Sequence, residues 1–299
     1  MKTYGINKNF LGLEDDFSSL EKSKIAVLPV PYEHTTSYGK GTAKGPKAIL
    51  NASHFVEFFD EEFERELCFD VGIATIKQLV FDQIYDQAAL DKIEKKVKKL
   101  LNRDKFVVTL GGEHSISTAP IKAHFAKYPD MTILHFDAHS DLRDTYEESK
   151  YSHACFMARV AELFDTSKIT QVGIRAQCKE EFEFIKKNEI KTFYANQIRR
   201  NFKDGEWQKV VAESTGERVY ITFDVDYFDP SIMPNTGTPE PDGFLYNETL
   251  NVFRELVKQG KEIVGFDIVE LSPWKKQPHT DITVASLIYK MLNYAFIYK

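Results

Sequence analysis

The sequence predicts an α/β protein whose parallel sheet is covered by helices on both faces. Three observations carry this. Short β-rich runs alternate with helical patterns along the chain, and several of those runs are apolar at nearly every position. The chemistry-bearing residues follow the runs directly. Alternation implies parallel strands joined by helical crossovers, and continuously apolar strands are buried on both faces. In such sheets ligands bind beyond the carboxyl ends of the strands.

In chain order, strands are predicted at residues 24–32 (KIAVLPVPY), 106–110 (FVVTL), 132–136 (TILHF), 170–174 (TQVGI), 218–225 (RVYITFDV) and 262–269 (EIVGFDIV). Between them, residues 86–102 place Leu90, Ile93, Val97, Leu100 and Leu101 on one stripe with lysines and glutamates opposite, an amphipathic helix. Residues 152–164, 180–187 and 283–297 also read as helices. No Pro-, Gly- or Ser-rich linker, repeat or low-complexity tract interrupts the pattern, so residues 1–299 are expected to form a single domain.

Composition narrows the function classes. No segment approaches the roughly 20 apolar residues of a membrane span, and the N-terminal MKTYGINKNF lacks the apolar stretch of a secretory signal. Cys68, Cys155 and Cys178 are odd in number and widely spaced, which argues against a disulfide framework and for a reducing, cytoplasmic compartment. The net charge of −6 disfavours nucleic acid as a partner and favours small cationic ligands.

Three segments carry the chemistry. After the strand at 106–110 comes Gly111-Gly112-Glu113-His114-Ser115, and after 132–136 comes Asp137-Ala138-His139-Ser140-Asp141. The strand at 218–225 runs into Asp224-Val225-Asp226. Alternation in extended backbone would put Asp137, His139 and Asp141 on one side, and likewise Asp224 and Asp226. Carboxylates two residues apart on an apolar strand repel one another and resist desolvation unless a cation offsets them. Four aspartates and two imidazoles form an oxygen-and-nitrogen donor set that suits Mn²⁺ better than thiolate-rich Zn²⁺ sites, although imidazole tolerates several metals. Each segment has a plainer reading: a solvated strand end for Asp224–Asp226, and a Gly turn into a helix for 111–115, with Glu113 favoured by the helix dipole. Three such segments, each at a strand's carboxyl end, are not explained that way together. His34, His54, His124 and His279 are expected to be surface or locally bonded groups. His135 is expected to face away from the neighbours of Asp137, as a core residue.

At these residues the sequence resembles the ureohydrolase (arginase/agmatinase) superfamily. GGEHS, HFDAHSDLRDTYEESKYSHA, FDVDYFDPSIMPNTGTPEP and GFDIVEL occur in the family's order and spacing, and PVPYEHTTSYGKGTAKGPKAILNAS resembles the opening of agmatinases. The resemblance implies a three-layer α/β/α sandwich and a homo-oligomer, trimer or hexamer. It implies two Mn²⁺ per chain, one held by His114, Asp137, Asp141 and Asp224 and the other by Asp137, His139, Asp224 and Asp226. It also implies that Glu270 grips the substrate guanidinium, that Asp141 relays a proton, and that His153 shuttles it to the leaving amine. Thr238 and Glu240, in the GTPEP loop, would line the substrate. Two positions depart from the agmatinase pattern, which commonly has Gly where this chain has Asn235 and Asp242; both are expected to lie beside the site and so to bear on substrate fit, not on the chemistry.

The implied reaction is cleavage of a guanidino group to urea and an amine. Residues 142–150 (LRDTYEESK) are similar to the agmatinase segment and lack the arginase SGN-type sequence that reads an α-carboxylate. Acidic residues here and Glu240 would favour a cationic tail. Agmatine is therefore the expected substrate, with N1-aminopropylagmatine the alternative; arginine and guanidinobutyrate rank lower. Two rivals are a single-Zn²⁺ deacetylase relative, against which His114, Asp141 and Asp226 argue, and a non-catalytic polyamine-binding relative, against which the complete ligand set argues.

Overall fold

A computed structural model describes residues 1–203 and 205–297. Among the described residues eight strands form one sheet: β1 Ile25–Val30, β2 Ile73–Thr75, β3 Phe106–Gly111, β4 Thr132–Phe136, β5 Ile169–Ile174, β6 Lys191–Tyr194, β7 Arg218–Asp224 and β8 Glu262–Val269. Their order across the sheet is β2-β1-β3-β8-β7-β4-β5-β6, and every strand pair is parallel.

Successive residues of these strands feed opposite layers, which is why the strands read as unbroken apolar runs. In β1, Ile25 and Val27 join one core while Ala26, Leu28 and Val30 join another. The first core is roofed by the helices Gly45–Ser53, Tyr246–Lys258 and His279–Ala295. The opposite face packs against Asp86–Leu101 and Thr118–Lys127, and further along against Phe156–Ala161. The arrangement is the expected α/β/α sandwich.

The six predicted strands are present within two residues at each end. The short β2 and the half-buried β6 were not predicted: three residues are too few for a period, and β6 is not continuously apolar. The helix expected at 152–164 is instead a 3-10 turn, His153–Cys155, capped by Ser152, followed by Phe156–Ala161. The C-terminal helix begins at His279, four residues earlier than expected, directly behind Pro278.

His124 is locally bonded, one of the two expected situations, and it is fully buried, its ring tilted on Tyr220 at 4.6 Å. Gly265 of β8 makes the room, since a Cβ there would meet His124 Nε2 at 2.3 Å. Nδ1 donates to the Pro120 carbonyl at 2.7 Å, so the neutral tautomer leaves Nε2 unprotonated. Burial lowers its pKa to about 4. The unfolded chain therefore binds a proton below about pH 6.5 that the fold refuses, and stability falls as pH drops from 6.5 towards 4, by about 3 kcal/mol from this residue. Denaturant melts of the protein and of His124→Gln should diverge in pH slope across that window. Equal slopes would show that His124 is charged in the fold.

Candidate active site

Four adjacent strands, β3, β8, β7 and β4, carry the site at their carboxyl ends: β3, β7 and β4 deliver the candidate metal ligands and β8 delivers Glu270. Register aligns those ends: Leu110 lies beside Ile268, Asp224 beside Val269, and Phe136 beside Phe223. Neighbouring strands are about 4.8 Å apart, so residues far apart in sequence converge within one cavity. That cavity encloses about 160 Å³ and is lined by His114, His139, Asp141, His153, Asp224, Asp226 and Glu270, together with Ser37, Arg143, Tyr146, Ala154 and Thr238.

Beyond β3, Gly112 passes so close to β1 that a Cβ would lie 1.9 Å from the Tyr32 carbonyl, so only glycine fits. The next turn brings in His114, whose ring stacks on Phe156 at 3.8 Å. Its Nδ1 lies 3.0 Å from Asp137 Oδ2, 3.1 Å from Asp224 Oδ2 and 3.4 Å from Asp141 Oδ2. Beside it, His139 Nδ1 lies 2.9 Å from Asp226 Oδ2 and 3.6 Å from Asp137 Oδ1.

Local backbone geometry corrects the simple alternation argument. β7 ends at Asp224, and Asp226 sits in the 3-10 turn Val225–Tyr227, where Asp224 Oδ1 accepts the Asp226 N–H at 2.8 Å. Residues 137–141 lie beyond β4, and Asp141 has φ 53°. Glu270, immediately after β8, has φ 64°. Non-glycine residues in this conformation are costly, and the surrounding structure holds them there to turn both carboxylates into the cavity. Glu270 Oε1 accepts the His114 N–H at 2.6 Å, and the Glu270 N–H donates to Gly112 at 2.8 Å.

The electrostatics mark concentrated negative charge. Burial and the neighbouring Asp137 push Asp141 up to about 6. Burial, Asp226 and Asp137 raise Asp224 well above the carboxylate range, and burial with Glu113 does the same to Glu270. Burial opposes charge on His114 and His139, yet the facing aspartates hold both pKa values well above the ordinary imidazole value. Asp137 is also buried, but His135 and the other imidazoles around it keep it ionised far below the usual range.

These residues fit metal ions. His114 Nδ1 is buried without a hydrogen bond although three carboxylate oxygens face it. An imidazole nitrogen with no hydrogen bond and carboxylate oxygens converging on it suit a cation between them. Asp137, His139 and Asp226 offer ligand atoms that all lie within 4.8 Å of one another, as do His114, His135 and Asp137.

His135 is a further correction. It shares a face with Asp137, two residues on, and its Nε2 donates to Asp137 Oδ2 at 2.7 Å while Nδ1 accepts from Gln171 at 3.0 Å. Contrary to expectation, Asn235 and Asp242 do not line the cavity. Asn235 bonds to Gln277 and Thr280 behind it, and Asp242, at φ 64° where glycine is common, pairs with Arg199 at 2.7 Å. From residues 142–150, Arg143 and Tyr146 line the cavity while Asp144 pairs with Arg159, so the acidic residues of this segment do not form the expected pocket wall. Thr238 lines the cavity, and Glu240 Oε1 stands 3.9 Å from His139 Nε2.

Other site residues gave no local signal. Glu113, fully buried, accepts from the His34 and Thr35 N–H groups and from the Thr35 and Ser115 hydroxyls. Thr35 in turn accepts the His153 N–H at 2.9 Å and lies 3.3 Å from its Nδ1, tying the N-terminal loop to His153. Burial lowers the His153 pKa, so it rests neutral. Arg175 spreads its guanidinium over the carbonyls of Asp226, Tyr227, Phe228 and Glu240, locking the Asp226 turn to the GTPEP loop.

With this geometry in view, the comparisons are specific. A profile of the arginase family matches residues 23–293. The chain belongs to the arginase family. An N(1)-aminopropylagmatine ureohydrolase from Synechocystis sp. is 38% identical, covering 96% of this chain and 94% of that protein. An agmatinase from Bacillus cereus is 35% identical, covering 92% of each. The crystal structure of an agmatine ureohydrolase from Thermoplasma volcanium superposes with a TM-score of 0.85 at 28% identity, covering 97% of this chain and 95% of that one. The arginase-family fold thus accounts for the whole sheet and for the strand ends that carry the site.

Proposed function

We propose that this arginase-family chain is a binuclear, manganese-dependent ureohydrolase that cleaves a guanidino substrate, agmatine first, to urea and an amine. One observation carries the reading: the imidazoles divide the aspartates into two overlapping sets, His114 facing Asp137, Asp141 and Asp224, and His139 facing Asp226 and Asp137. One ion would be held by His114, Asp137, Asp141 and Asp224 and the other by Asp137, His139, Asp224 and Asp226. Oxygen and imidazole donors without a thiolate fit Mn²⁺. When bound, the pair supplies an acidified water as nucleophile, its pKa brought from ~15.7 towards ~7.

The chain's own residues do the rest. Glu270, across the cavity, takes parallel N–H bonds from the guanidinium and fixes its carbon over the aspartates. Asp141 takes the nucleophile's proton, and His153, neutral at rest, carries it to the leaving amine as the tetrahedral carbon collapses. His153→Ala should lower turnover about 10²- to 10⁴-fold. It should keep both metals, because His153 is not among the proposed ligands. Full activity in that variant would sink the assignment.

Among substrates, the relatives named as agmatinase and as N(1)-aminopropylagmatine ureohydrolase support agmatine, with its aminopropyl-extended form as the alternative. Urea release from agmatine, N1-aminopropylagmatine, arginine, guanidinobutyrate and guanidine decides between them. Release chiefly from agmatine is expected; two bound metals with no urea from any of the five would leave the metal centre standing and overturn the substrate assignment or the claim of turnover. About one metal per chain would favour the single-metal deacetylase reading. No helix among the described residues is long and apolar enough to cross a membrane. The proposal extends to a single-domain cytoplasmic enzyme assembled as a homo-oligomer, which sedimentation checks.

A further inference from the structure

Behind His114, on the side away from the cavity, lies a closed chain of hydrogen bonds. His114 Nε2 meets Thr222 Oγ1 at 2.9 Å, and Thr222 Oγ1 meets Asp267 Oδ1 at 2.8 Å. Ser117 Oγ and Tyr220 OH also donate to Asp267, at 2.8 and 2.7 Å. All five residues are buried. A carboxylate that collects three hydroxyl donors is the acceptor at the end of the chain. Thr222 has one proton, and Asp267 takes it. Towards His114, Thr222 can then only accept, so Nε2 must carry the imidazole proton. In the neutral ring that leaves the lone pair on Nδ1, the atom aimed at Asp137, Asp141 and Asp224 without a hydrogen bond.

We infer that Thr222 and Asp267 are positioning residues that impose the Nε2–H tautomer on His114 and so keep its Nδ1 free for a metal ion. The stack on Phe156 holds the ring plane, and the hydroxyl relay sets which nitrogen faces the cavity. Thr222 belongs to β7 and Asp267 to β8, the strands that also carry Asp224 and Glu270, so the sheet that places the ligands also orients one of them. The inference rests on the two-metal reading but not on the substrate.

The test is Mn²⁺ affinity, titrated calorimetrically into the chelator-stripped full chain. Thr222→Val removes the acceptor and should weaken one of the two Mn²⁺ binding steps, that of the ion His114 would hold, about ten- to a hundredfold. Thr222→Ser restores the hydroxyl and should bind within about threefold of the unaltered protein, a conservative rescue set by the same relay. Asp267→Asn can turn an amide N–H on Thr222, freeing the Thr222 proton to point at Nε2, and should weaken binding at least as much as Thr222→Val. Equal affinity in Thr222→Val, or a Thr222→Ser variant as weak as Thr222→Val, overturns the inference. Should Thr222→Val fail to fold, the unaltered protein loaded with Zn²⁺ decides: a protected His114 Nε2–H proton in histidine-labelled NMR spectra is expected, and a rapidly exchanging one overturns it. Mn²⁺ binding without urea release would leave this inference intact while removing the proposed reaction.

Discussion

Asp224→Asn should abolish urea release, by at least about 10³-fold, and reduce bound Mn²⁺ from about two per chain to one or fewer. Asp224 is proposed to touch both ions, so its loss removes a shared charge and not only one ligand. The same substitution should raise the melting temperature of the metal-free protein. Asp137, Asp141, Asp224 and Asp226 are all buried around one small cavity, and packing like charges there opposes folding. Asparagine keeps the oxygen that caps the Asp226 N–H and removes the acid whose ionisation burial, Asp226 and Asp137 oppose. A gain of roughly 1–2 kcal/mol corresponds to a few degrees in a chain of this size. Added Mn²⁺ should stabilise the unaltered protein, by about 2.7 kcal/mol at a hundredfold excess over Kd, and stabilise the variant much less. Calorimetric melts with and without Mn²⁺ check both halves. A metal-free variant that melts lower would mean that Asp224 is held by partners and not strained by like charge.

Glu270→Gln should retain both metals and lose about 10²- to 10⁴-fold in kcat/KM. Removing one member of a buried charge pair costs about 3–5 kcal/mol, because the partner guanidinium is left desolvated and unpaired. Glutamine still offers an oxygen to the His114 N–H, which Glu270 accepts at 2.6 Å, so the turn that carries His114 should survive. Metal content and urea kinetics together separate this outcome from Asp224→Asn. If the variant keeps full kcat/KM, Glu270 serves the turn rather than the substrate.

The sequence by itself determined the strands that matter and the residues at their ends. Continuous apolar runs located β3, β4, β7 and β8 within two residues, because burial on both faces leaves a local signature. His114, Asp137, His139, Asp141, Asp224 and Asp226 stood out as candidates for the same reason, a carboxylate or imidazole directly after such a run being out of place unless a cation offsets it, whereas Glu270 was pointed to by the family resemblance alone. Tertiary structure decided how they divide. Only strand order brings His114 and Asp224, 110 residues apart, within 3.1 Å, and splits the aspartates between two imidazoles. It also decided that His135 backs Asp137, that Arg143 rather than Asp144 faces the cavity, and that Thr222 and Asp267 stand behind His114. Those pairings join residues across strands and loops. Local periodicity reports which face a side chain takes, while its partner is set by register and by packing between elements distant in the chain.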